Sequence, residues 1–83
     1  MIEVLYFARI KEALGLEHES LSLNETSTTV NALLQELAQR GPQWQQTLLE
    51  NKVLTAVNQT VCNSNTILHD GDEVAFFPPV TGG

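Results

Sequence analysis

One segment narrows what this chain can fold into more than any other. From Val30 the apolar residues fall at Leu33, Leu34, Leu37 and Ala38, which is helical spacing and makes a single buried stripe. A helix with one stripe must lay it against another element. On both sides of this helix the pattern changes to alternation, the period of a strand. Residues 2–8 alternate and are rich in β-formers. Residues 17–23, 53–57 and 73–77 read as strands too, with a shorter one at 60–62. The order of two strands, a main helix and further strands predicts an α+β fold, with the helix on one face of a mixed sheet. At 83 residues the chain has room for one such domain and one modest core.

The punctuation agrees. Arg9 to Leu14 reads as a short helical turn, and Gly15 suits the residue after its end. Asn24 to Thr28 is a polar connection, and Thr28 or Thr29 can cap the main helix. Gly41 ends that helix and Pro42 prevents its continuation. Pro42 then suits the start of a second short helix through about Leu49, offering Trp44 and Leu48 to the core. Asn63-Ser64-Asn65 is a loop and Asp70-Gly71 a turn. Pro78-Pro79 ends the pairing of the last strand, because proline has no N–H to donate.

Several function classes drop out. No apolar run approaches the roughly 20 residues that cross a bilayer. The opening Met1–Arg9 lacks the basic and long apolar regions of a signal peptide, so a cytoplasmic location is expected. Cys62 is the only cysteine and reads as a small, buried, apolar side chain. No Cys/His spacing offers a metal site. A net charge of −6 argues against nucleic acid and anionic membranes. It fits a partner with a basic face, or simply keeps a small domain soluble. His69 beside Asp70 reads as turn polarity, and no phosphate loop or nucleophile elbow is present. A self-sufficient active site is not expected.

Strand alternation leaves one face uncovered. Glu3 marks the outer phase of the first strand, which Leu5 and Phe7 share; Ile2, Val4 and Tyr6 point toward the helix. Glu73 marks the outer phase of the last strand, shared by Ala75 and Phe77, while Val74 and Phe76 point inward. Phe7 and Phe77 therefore form a candidate docking patch, unless the second helix or the sheet twist covers them.

The chain finishes Pro78-Pro79-Val80-Thr81-Gly82-Gly83. Two glycines at a given place arise by chance about once in 200 sequences at average composition. Here they follow a stiffening proline pair, and the six residues after Phe77 can reach about 20 Å when extended. Glycine has no Cβ, so a Gly83 carboxylate is unhindered and its backbone can enter a narrow channel. A frayed terminus is the alternative.

The run Leu68-His69-Asp70-Gly71-Asp72-Glu73-Val74-Ala75-Phe76-Phe77-Pro78-Pro79-Val80-Thr81-Gly82-Gly83 resembles the C-terminal signature of the molybdopterin synthase small subunits. Ala56-Val57-Asn58-Gln59-Thr60 and Val4-Leu5-Tyr6-Phe7-Ala8 resemble that family as well. The resemblance implies a ubiquitin-like β-grasp domain over 1–77, with first and last strands adjacent, and a functional tail over 78–83. It further implies that an ATP-dependent, ubiquitin-activating-like adenylyltransferase activates Gly83, that sulfur then makes a thiocarboxylate, and that the tail enters the large subunit in a heterotetramer. There the sulfur would pass to cyclic pyranopterin monophosphate. Phe7, Phe77, Val61 and Leu5 would face the partner. No cofactor would be bound by this chain, ATP being used by the activating partner. The competing expectations are a thiamin-type sulfur carrier, a covalent modifier and a non-covalent ubiquitin-like binding module.

Overall fold

The computed structural model describes residues 1–23 and 29–79. The elements are β1 (Ile2–Tyr6), α1 (Ala8–Leu14), β2 (His18–Leu21), α2 (Val30–Ala38), α3 (Pro42–Gln45), β3 (Leu54–Val57), β4 (Thr60–Cys62) and β5 (Glu73–Phe77). α3 runs on into a π-helical segment, Gln46–Glu50. The five strands form one sheet in the order β2-β1-β5-β3-β4. β1 and β5 are parallel; the other neighbours are antiparallel. This is the mixed sheet of a β-grasp fold, with the first and last strands side by side at its middle.

Boundaries differ from the alternation pattern in instructive places. The first strand stops at Tyr6 because Ala8 takes a left-handed φ of 52°, which turns the chain directly into α1. α1 closes at Gly15, whose φ of 69° suits glycine and whose N–H donates to the Lys11 carbonyl. The second strand is shorter than 17–23, and the third begins at Leu54 rather than Val53. The Asn24–Thr28 connection, including Thr28 as a cap, lies outside the described residues.

The start of α2 is fully provided with acceptors. The Ala32 N–H donates to Thr29 Oγ1 at 3.1 Å. The Val30 and Asn31 N–H groups donate to the carbonyls of Thr66 and Ser64 at 3.0 and 2.9 Å. Three donors that a helix N-terminus leaves without intrahelical partners are thus satisfied. Val30, Leu33 and Leu37 then enter the core with Ile2, Val4, Tyr6, Val74 and Phe76 of the central strands, and with Leu48 of the π-helical segment. Each such apolar side chain contributes about 1.5–3 kcal/mol on burial. Trp44 is half-buried against this core, edge-on to Tyr6 with ring centroids 5.7 Å apart. Cys62 is half-buried rather than fully enclosed, because β4 is an edge strand.

A polar clasp ties β2 to the end of α2. The Tyr6 hydroxyl donates to Glu19 Oε2 at 2.8 Å. Arg40 donates to both Glu19 oxygens, at 2.7 and 2.9 Å. The Arg40 guanidinium also lies 4.6 Å from the Trp44 ring centroid. Burial and the acceptor carboxylate raise the Tyr6 phenol. At Glu19 burial acts upward, but the Arg40 and Tyr6 hydrogen bonds and the Arg40 charge outweigh it, so the carboxyl is held below its usual range.

Candidate functional site

The register of the central strands decides what the uncovered face displays. Val4 pairs with Val74 and Tyr6 with Phe76 on the helix side, and all four are buried. On the other side Leu5 pairs with Ala75, Ala75 with Ala56, and Ala56 with Val61. This makes one apolar row across four strands, with two alanines at its middle, so the face is low at its centre. A second row lies nearer the tail: Phe77 pairs with Leu54, and Phe7 follows Tyr6 in extended conformation with its N–H donating to the Phe76 carbonyl at 3.1 Å. The second helix does not cover this face, since Leu48 packs into the core on the opposite side.

The four residues expected to meet a partner are therefore brought together, but they differ in exposure. Val61 is 65% and Phe7 47% exposed. Leu5 and Phe77 are half-buried, so the aromatic pair is one open ring beside one partly covered. Phe77 is flanked by β3 and is followed by the half-buried Pro78 and Pro79, where the strand ends. The root of the tail thus rises from the apolar face itself. Val80, Thr81, Gly82 and Gly83 lie outside the described residues.

The far half of the same face is polar. Glu3 and Glu73 are neighbours in register, and Ser20 donates to Glu3 at 2.6 Å. Beyond them Asn58 locks the turn between β3 and β4 to the start of β5. Its Oδ1 accepts from the Glu73 N–H at 3.0 Å, and its Nδ2 donates to Asp72 at 2.9 Å. Asp72 also accepts from the His69 N–H at 2.7 Å, and that bond, with the one from Asn58, holds its carboxyl below the usual range. Asn58 and Gln59 both have positive φ, 51° and 70°, as a two-residue hairpin turn of the primed type requires. Pattern reading missed this hairpin. Its signal was an asparagine opening a two-residue gap between β-rich runs. His69 and Asp70 are exposed turn residues, as expected. Among the described residues no cluster of three or more His, Cys, Asp or Glu is placed to hold a metal ion. Among those residues no helix is long and apolar enough to cross a membrane.

Comparison with known proteins agrees with this geometry. Residues 4–83 match the ThiS family. The chain is 46% identical over 83 residues to the molybdopterin synthase sulfur carrier subunit of Escherichia coli, and 41% identical to that of Haemophilus influenzae, with all of both chains covered in each case. Among solved structures, a putative molybdopterin converting factor subunit 1 from Pyrococcus furiosus superposes with a TM-score of 0.78 at 30% identity, covering 95% of this chain and 97% of that one. Subunit 1 in a complex of subunits 1 and 2 of the Helicobacter pylori molybdopterin-converting factor gives a TM-score of 0.67 at 31% identity, covering 99% and 97%. The chain belongs to the ThiS family of β-grasp proteins and is similar over its whole length to molybdopterin synthase sulfur carrier subunits.

Proposed function

We propose that this chain is the sulfur carrier subunit of a molybdopterin synthase, with residues 1–77 as the docking domain and residues 78–83 as the arm that carries the sulfur. The observation that carries the reading is the parallel β1–β5 pair. It delivers Phe7 and Phe77 to one uncovered apolar face at the root of a Gly-Gly tail. The large subunit of the synthase is the partner for that face.

The chemistry takes place at Gly83. A carboxylate is a poor acyl donor because its oxygens leave badly. An adenylyltransferase partner joins the carboxylate to the α-phosphate of ATP and releases pyrophosphate. A sulfide equivalent then displaces AMP from the acyl-adenylate and leaves a thiocarboxylate. That anionic sulfur is the nucleophile offered to cyclic pyranopterin monophosphate, and its transfer with water returns the carboxylate. Every step is supported by groups of the partners, which supply the acid–base and electrostatic work. This chain contributes reach, an unhindered end and a docking face.

Intact mass measured after incubation with the activating enzyme, ATP and a sulfur source tests the reading. The expected result is exchange of one oxygen for sulfur at Gly83. A chain lacking Gly82-Gly83 should still bind the large subunit but should not support dithiolene formation. Unchanged mass, under conditions that thiolate a known carrier, would overturn the proposal. Lysine-linked conjugates of the chain in extracts would instead point to a covalent modifier.

A further inference from the structure

The four cations of this acidic chain are not used alike. Arg40 is committed to Glu19. Among the described residues, Arg9 and Lys52 form no salt bridge, yet both line one small cavity with Thr47 and Asn51. The walls between them are Ile10, Ala13 and Val53. The cavity holds about 150 Å³, roughly five times the ~30 Å³ share of one liquid water, which is ample for a carboxylate. Arg9 and Lys52 are exposed residues at a mainly apolar notch, an arrangement that suits a carboxylate whose apolar stem fills the notch.

Its place in the fold names the anion's source. Arg9 follows Phe7 by two residues, and Lys52 precedes Leu54, the register partner of Phe77, by two. The notch is therefore bracketed by the two segments that carry the docking aromatics. It continues the docking surface around the tail end of the sheet, whereas Asp72 and Glu73 stand at the opposite end of β5. We propose that the Arg9–Lys52 notch receives a carboxylate side chain of the protein into which the tail inserts, and so sets the orientation of docking. The proposal rests on the carrier reading above. A domain of net charge −6 is drawn to a basic surface in many orientations. One acidic residue on the partner, matched to this notch, selects the orientation that aims the tail.

The test uses the full chain and the purified large subunit. Arg9→Glu and Lys52→Glu are compared with Lys11→Glu, a helix α1 variant with the same change of net charge outside the notch. Kd is measured at low and high salt, with Tm as the folding check. The expected result is a roughly tenfold or greater loss for each notch variant at low salt, narrowing at high salt, and a much smaller loss for Lys11→Glu. Equal losses in all three variants would mean general steering and would overturn the notch. So would unchanged binding of the notch variants. Inorganic phosphate that shifts the NMR signals of Thr47 and Asn51, while leaving partner affinity unaltered at saturation, would also overturn it in favour of a free-anion site. Wild-type chain that fails to bind the large subunit at all would instead sink the carrier reading itself.

Discussion

Truncating Phe7 to alanine should separate docking from folding. The ring is 47% exposed at the end of β1, beside the root of the tail. An aromatic residue of this kind has about 200 Å² to bury, so roughly 95 Å² remains for a partner to cover. At about 25 cal/mol per Å² that is worth about 2.4 kcal/mol before the cost of ordering the side chain, which is about 0.5–1.5 kcal/mol. A net of about 1–2 kcal/mol corresponds to a roughly 5- to 30-fold rise in Kd for the large subunit. Stability should change much less than at the neighbouring inward ring. Phe7→Ala leaves an open surface and no cavity, and should cost at most about 0.5 kcal/mol, or roughly 2–4 °C in Tm. Phe76 is fully buried, and Phe76→Leu should cost about 1–2 kcal/mol while leaving the open face intact. Titration calorimetry on the two variants, with thermal melts alongside, reads the contrast. Phe76→Leu should keep the wild-type Kd at a temperature where it is folded, and Phe7→Ala should not. If the two variants lose stability alike and Phe7→Ala binds within twofold of wild type, the uncovered face is not the docking face.

The other predictions concern the domain's own energetics. Gln59→Gly should stabilise the fold by up to about 1 kcal/mol, because glycine relieves a left-handed φ of 70° in the hairpin at some cost in unfolded-state entropy; a drop in the urea midpoint would contradict the turn assignment. Glu19→Gln should destabilise by about 1–2 kcal/mol in urea unfolding, a figure kept low because Arg40 is one-third exposed; no loss would mean the clasp contributes nothing. Glu19 and Asp72 both have folded-state carboxyl groups below their usual range. Their contribution is therefore present above the ordinary carboxylate range, about pH 4–4.5, and is lost as pH falls through the lower folded values, where the unfolded chain binds more protons. The double variant Glu19→Gln/Asp72→Asn should show a shallower fall of stability below about pH 4.5 than wild type, and an equal slope would refute the linkage.

What could be read from the chain is what depends on local period. Alternation placed Val4, Tyr6, Val74 and Phe76 inward and Leu5, Phe7, Ala75 and Phe77 outward, and the register agrees. Thr29 as a cap and Gly15 as a terminator follow from single residues with one preferred use. Strand order is different. Nothing in the period of β1 or β5 says that they lie side by side and parallel; that expectation came from resemblance to a family. The Tyr6–Glu19–Arg40 clasp joins residues 13 and 21 positions apart, and the Arg9–Lys52 notch joins residues on two elements remote in sequence. Such pairings are products of the fold, and the residue types alone announce neither. The hairpin at Asn58-Gln59 was local and still escaped, since glutamine is a rare choice for positive φ.

The two central strands show how one short sequence can serve stability and the proposed docking without conflict. Tyr6 and Phe76 stack on the helix side with ring centroids 6.1 Å apart, and Trp44 and the Glu19–Arg40 pair hold Tyr6 from above. Phe7 and Phe77 are the very next residues, and the half-turn per residue of a strand puts them on the opposite face. Fixing the inner rings therefore fixes the backbone from which the outer rings project. A one-residue slip of either strand would turn its two sets over, exposing the core ring and burying the outer ring. The parallel hydrogen bonding that prevents this slip extends one step past the strand, through the Phe7 N–H to the Phe76 carbonyl. Pro78 and Pro79 follow Phe77 directly, so the same register that secures the core also fixes where the chain leaves the sheet.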